Sequence, residues 1–183
     1  MLDYTSYVAR QTTANSILIS GAGCNCYGIS LRGDYLGILY NDTSSNLNLT
    51  IFNVSTGTPN NLQNVTVVQG FTGIRAAEAA YSEGFLVAVA GELYRVYLSG
   101  GNWIAEKFVE FNDPNVVECN PYAMLVAERG GAKAAYIFSQ TRLPNDTIRM
   151  CFIAVDLVGK GVITDPLTIL QQPMEGYGDA YIV

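Results

Sequence analysis

No histidine occurs anywhere in the 183 residues. That excludes Ser-His-Asp and Cys-His catalysis and every His-ligated metal site. The chemistry left to the chain belongs to carboxylates and thiols. Glycoside hydrolysis needs two acids about 5–10 Å apart across a cleft. Among the 16 acidic residues, Glu78, Glu83, Glu92, Glu106, Glu110, Glu118 and Glu128 are available. Most lie beside turn residues, where a solvated carboxylate is the ordinary state, and no spacing singles out a pair. No Asp-rich loop offers the run of oxygens that calcium takes. These residues predict a protein that is not an enzyme.

The thiols are Cys24, Cys26, Cys119 and Cys151. A four-thiolate zinc site usually draws on pairs two to four residues apart, and Cys119 and Cys151 stand singly. An even count also permits two disulfides. A direct Cys24–Cys26 bond would be strained, so each would take Cys119 or Cys151. The third reading is four reduced, buried thiols acting as small apolar residues. Cys151 inside "RMCFIAV" suits it.

Both first thiols sit in "SILISGAGCNCYG", residues 16–28, which opens like a dinucleotide-binding strand and phosphate loop. Gly21 and Gly23 come after an apolar run, and Asp42 lies about where a ribose-binding acid would. The pyrophosphate also needs a helix N-terminus next. The chain continues instead as "YGISLRGDYLGILY", whose Gly28, Gly33 and Gly37 oppose a helix. The stretch therefore predicts turn residues before a strand, and no cofactor.

Surface features point elsewhere. Asn41, Asn48, Asn53, Asn64 and Asn145 each begin an Asn-x-Ser/Thr sequon, the acceptor for glycosylation in a secreted protein. Asn48 and Asn53 fall five residues apart on one expected strand, hence on opposite faces. Trp103, the single tryptophan, sits in the turn "GGNWIAE". It is either an exposed anchor for a sugar or protein or a cover for the edge of the core.

The elements that must position these residues are strands. Apolar residues make up 49% and charged residues 14%, and the 18 glycines punctuate short runs of Val, Ile, Leu, Tyr and Phe. "IRAAEAAYSE", residues 74–83, is the one helical candidate, on its Ala and Glu content. Three segments align as hairpins: 34–57, 83–101 and 120–142. Each opens with an aromatic (Tyr35, Phe85, Tyr122) and a short apolar strand. A polar or glycine turn comes next, then a second strand rich in aromatic and β-branched residues. "GDAYIV", residues 178–183, is a partial fourth start.

Further strand-like runs separate the hairpins, so the pattern resembles β-propeller repeats over roughly residues 17–183. The resemblance is architectural and names no specific family. It implies one all-β domain over 1–183, a propeller-like array of about four antiparallel hairpin repeats, complete or part of a larger propeller. A two-sheet β-sandwich of the same hairpins is the alternative.

Net charge is −6 with 10 Lys plus Arg and no basic run, which disfavours nucleic acid and anionic membranes. No apolar run reaches the ~18 residues of a membrane helix. The opening "MLDYTSYVARQ" lacks a signal-peptide layout. Low charge and strand-like termini predict a structural or assembly protein of a virus or phage particle, partnered by other protein subunits. The sequons and even cysteine count favour the alternative, a secreted or cell-surface module binding glycan or protein. The expected location is accordingly the virion or the extracellular space.

Overall fold

A computed structural model describes residues 25–56, 60–111 and 116–173. Twelve strands run in chain order: β1 (Asn25–Arg32), β2 (Tyr35–Asn41), β3 (Leu47–Asn53), β4 (Asn60–Val68), β5 (Ala76–Tyr81), β6 (Gly84–Val89), β7 (Glu92–Ser99), β8 (Asn102–Glu110), β9 (Glu118–Arg129), β10 (Ala132–Arg142), β11 (Thr147–Asp156) and β12 (Gly161–Pro173). They form three four-stranded sheets, β1–β4, β5–β8 and β9–β12. Every neighbouring pair within a sheet is antiparallel and consecutive in sequence. The described residues are thus all-β, as the turn-and-strand composition predicts.

Tight turns make the meanders. The β9–β10 turn is Gly130-Gly131, with φ of 59° and 85°. A pair of left-handed residues matches the twist of a two-residue hairpin, and glycine takes that conformation at no steric cost.

The sheets stack in sequence, and the second lies between the other two. Its central strand β6 is buried along its whole length. Phe85, Val87 and Val89 point to the first sheet, where they meet Leu39, Leu47, Leu49 and Ile51. Leu86 and Ala88 point the other way, onto Ala135, Ile137, Ile153 and Val155 of the third sheet. A strand covered on both faces reads as the unbroken apolar run "GFLVAV", since alternation vanishes when neither face meets water. The first strands of the sheets are close neighbours, β1 beside β5 and β5 beside β9.

Several expectations change here. Residues 74–83 are not helical: Ala76–Tyr81 is strand β5. Ala76, Ala77 and Ala79 are buried between sheets, so tertiary packing overrides alanine's helix propensity. The repeat alignment also shifts. Segments 34–57 and 83–101 hold the middle hairpins β2–β3 and β6–β7, but 120–142 holds β9–β10, the first hairpin of its sheet. The equivalent middle hairpin is β10–β11. Antiparallel hairpins share one local signature, so matching hairpin to hairpin leaves the phase of the sheet open. The described residues hold three sheets where about four repeats were expected, and the two-sheet sandwich does not describe them. The partial repeat at 178–183 lies outside the described residues.

Candidate functional site

The joint between the first and second sheets carries the least ordinary side chain. Glu78 on β5 points toward β1, where the Ser30 hydroxyl donates to its Oε1. Its Oε2 is shielded from solvent and has no hydrogen-bond partner among the described residues. Burial pushes this carboxyl up to about 7, against the opposing pull of the Ser30 hydrogen bond. Glycines make the room. A Cβ on Gly28 would lie 3.1 Å from Glu78 Oε2, and one on Gly37 would lie 2.8 Å from both Glu78 Oε1 and Phe85 Cε1.

The other glutamates weighed as acids are ion-paired. Glu92 and Glu110 share Lys107 at 2.5 and 3.2 Å. Glu106 binds Arg95 at 2.5 Å, and Glu118 lies 3.3 Å from Arg142. Lys133 holds Glu83 at 2.6 Å and approaches Glu128 at 3.9 Å. Each of these carboxylates is turned to a cation and not to a second acid across a cleft. Glu78 stands apart because β1 brings it a hydroxyl and two glycines approach it, and no ion pair to it occurs among the described residues.

At the turn end of the same joint, Ser82 gathers all three sheets. Arg32 of β1 donates to the Ser82 carbonyl through Nε at 3.0 Å and Nη2 at 2.6 Å. The Ser82 amide and hydroxyl donate to Glu128 Oε1 of β9 at 3.2 and 2.7 Å. Lys133 Nζ donates to the same hydroxyl at 2.9 Å. A groove of about 310 Å³ runs beside this network, lined by Leu31, Arg32, Tyr81, Ser82 and Glu128. Its charged groups already satisfy one another. A second cleft of about 360 Å³ lies against Arg75, Glu118, Asn120 and Arg142. There Arg142 is paired with Glu118, and Arg75 sits 5.2 Å from the centre of the Tyr122 ring. Neither cleft is lined by Glu78.

The thiols are dispersed. Cys26, on β1 of the first sheet, is exposed; Cys119 and Cys151, on β9 and β11 of the third, are buried, and all three are free. Cys119 Sγ donates to Ser139 Oγ at 3.7 Å, and Cys151 Sγ lies 3.5 Å from Thr141 Oγ1. Burial pushes the Cys119 thiol up to about 11. Cys24 lies outside the described residues, as do Gly21 and Gly23. Among the described residues no three His, Cys, Asp or Glu side chains cluster as a metal site would require.

After Cys26 the chain continues as strand β1, so no helix N-terminus stands where a pyrophosphate would need one. Asp42, the acid at the ribose position, is occupied by its own turn. It accepts from the Ser44 and Asn46 amides at 2.8 and 2.9 Å and from the Asn46 and Asn48 side chains at 3.0 and 2.9 Å. The Asn46 backbone bond leads in holding this carboxyl below its usual range.

The sequon asparagines divide by environment. Asn48 is 1% exposed. Its amide donates to Asp42, and its Oδ1 accepts from Thr66 Oγ1 at 2.8 Å. No glycan fits there without dismantling the sheet face. Asn41 accepts from the Asn25 amide at 2.9 Å, and Asn53 caps its own turn through Ser55 at 3.0 Å. Asn64 and Asn145 are exposed. Trp103 is 6% exposed, so it is no surface anchor. Its ring stacks edge-on to Tyr35 at 5.2 Å and lies 5.5 Å from Phe85. The Gln63 side chain pairs with its backbone like a strand, accepting from the amide at 3.1 Å and donating to the carbonyl at 3.3 Å. The burial of Glu78 escaped sequence reasoning. Its signal was an acid inside an alanine-rich strand, facing glycines far away in the chain.

No family model matches this chain, and no curated protein or solved structure matches it.

Proposed function

We propose that the chain is a non-enzymatic structural module of a larger protein assembly, a component of a virus or phage particle. Its three sheets act in this reading as blades of a propeller-like array. The observation that carries the reading is the set of large apolar side chains left exposed on two first strands. β1 leaves Ile29 and Leu31 66% and 61% exposed and β9 leaves Leu125 68% exposed, while Asn48, Thr50 and Phe52 on the Ile29 face of the first sheet are buried. Exposed apolar side chains grouped in this way favour burial against further protein. At the first joint Gly28, Ser30, Ala76 and Ala80 lie near β5, and Tyr35, Phe85 and Trp103 pack together as an aromatic cluster.

The secreted recognition module remains the second reading, favoured by the exposed sequons at Asn64 and Asn145. One pair of measurements separates the two. The assembly reading expects the purified chain to self-associate and glycosidase to leave its mass unchanged. A stable monomer carrying glycans overturns it.

A further inference from the structure

Glu78 lies in the joint between the first and second sheets, and three strands wall it in. Gly28 and Ser30 of β1 meet it across the joint, while Gly37 of β2 approaches both its Oε1 and the Phe85 ring of β6. The charged and titratable neighbours are turned elsewhere. Arg32, two residues past Ser30 on β1, donates to the Ser82 carbonyl. Tyr27 of β1 packs edge-on to Phe71, and Tyr35 of β2 packs edge-on to Trp103. Arg75, just before β5, sits over the Tyr122 ring. The β5 and β6 residues on this face, Ala76, Ala80, Phe85 and Val87, do not titrate.

The walls are unequal. Phe85 is fully buried, and Gly37 lies on β2 between β1 and β3. None of the eight residues of β1 is buried, and within its sheet β1 adjoins β2 alone. Its other side leans on β5. A carboxylate formed in this joint needs water, because a buried charge without a partner is costly. The wall that yields most readily to admit water is the one with the fewest buried contacts, β1.

We propose that Glu78 makes this joint a proton-controlled catch. With the carboxyl protonated, β1 stays docked on β5; with it ionised, β1 lifts away and water reaches Oε2. Burial is the leading cause that raises the docked carboxyl to about 7, and the Ser30 hydrogen bond opposes it. Once β1 has lifted, the carboxyl returns toward its ordinary 4.5. Docking is therefore firm at acid pH and weakens as pH rises toward 7.

Hydrogen exchange of the whole chain between pH 4.5 and 8, read by mass spectrometry and corrected for the intrinsic rate at each pH, tests this. The protected amides of β1 are expected to exchange faster than those of β10 and β11, and their opening to grow about a hundredfold over that range. Glu78→Gln keeps the shape of the side chain and cannot ionise, so its β1 opening is expected to stay flat. Ser30→Ala removes a donor to the carboxylate, so the midpoint of the rise is expected to move to higher pH. Amides of β1 that exchange no faster than those of β10 at pH 8 overturn the catch. So does an equal pH response in Glu78→Gln, or an unmoved midpoint in Ser30→Ala.

Discussion

The Ser30 hydroxyl donates to Glu78 Oε1 across the joint between the first two sheets, and the other carboxylate oxygen of Glu78 has no hydrogen-bond partner among the described residues. An acid held this way is more comfortable protonated. Its folded pKa, about 7, lies above its ordinary value of 4.5. The folded state therefore binds a proton that the unfolded chain has released, and ionisation opposes folding.

The contribution of this site is thus fully present below pH 4.5 and is lost as pH rises through about 7. A shift of that size corresponds to about 3 kcal/mol at most. Urea unfolding of Glu78→Gln is expected to show greater stability than the native chain at pH 8 and near equality at pH 4.5. Identical pH dependence in the two chains would contradict the burial of this carboxyl.

Gly84 and Gly37 are packing glycines. A Cβ on Gly84 would sit 2.1 Å from the Val96 carbonyl oxygen, a backbone atom that cannot swing aside. Gly84→Ala is expected to cost more than about 3 kcal/mol. At Gly37 the obstructing atoms are ends of the Glu78 and Phe85 side chains, so Gly37→Ala is expected to cost about 1–3 kcal/mol. Denaturant midpoints measure both, and a neutral Gly84→Ala would show that the turn from β5 to β6 is built differently.

Trp103 joins two sheets through Tyr35 and Phe85. Trp103→Ala is expected to destabilise by about 3–5 kcal/mol, and Trp103→Phe by less, because the phenyl ring refills part of the space. A thermal shift near zero for Trp103→Ala would return this residue to the surface.

Much of the fold is readable from the residues alone. The turns Gly100-Gly101 and Gly130-Gly131 end hairpins where the sequence places them, because two left-handed positions in a row leave few residues able to fill them. "GFLVAV" is readable as a strand from its unbroken apolar run, which lacks the alternation of a strand with one wet face. The phase of the third repeat is not readable, since β9–β10 and β10–β11 carry the same hairpin signals. Strand β5 hides behind its alanines, whose extended form depends on sheets on either side. Glu78 is hidden more deeply: its environment comes from Ser30, Gly28 and Gly37 in another sheet. Trp103 reads from its turn as a cover for the core edge ahead of an exposed anchor, and Tyr35 and Phe85 place it in the core.

The thiols offer a direct chemical check. Cys119 and Cys151 are buried, and burial pushes the Cys119 thiol up to about 11, whereas Cys26 is exposed. Iodoacetamide at pH 8 is expected to modify Cys26 in the native chain, and Cys119 and Cys151 only after unfolding. Peptide mass mapping reads the sites. Rapid native labelling of Cys119 would contradict its buried place on β9, and its recovery in a disulfide would replace the free thiol described here.

The most direct measurement of the account is the mass of the native chain by sedimentation equilibrium across a concentration series. The assembly role predicts species heavier than the chain mass of 19.8 kDa, increasing with concentration. A single species at the chain mass at every concentration contradicts the assembly role.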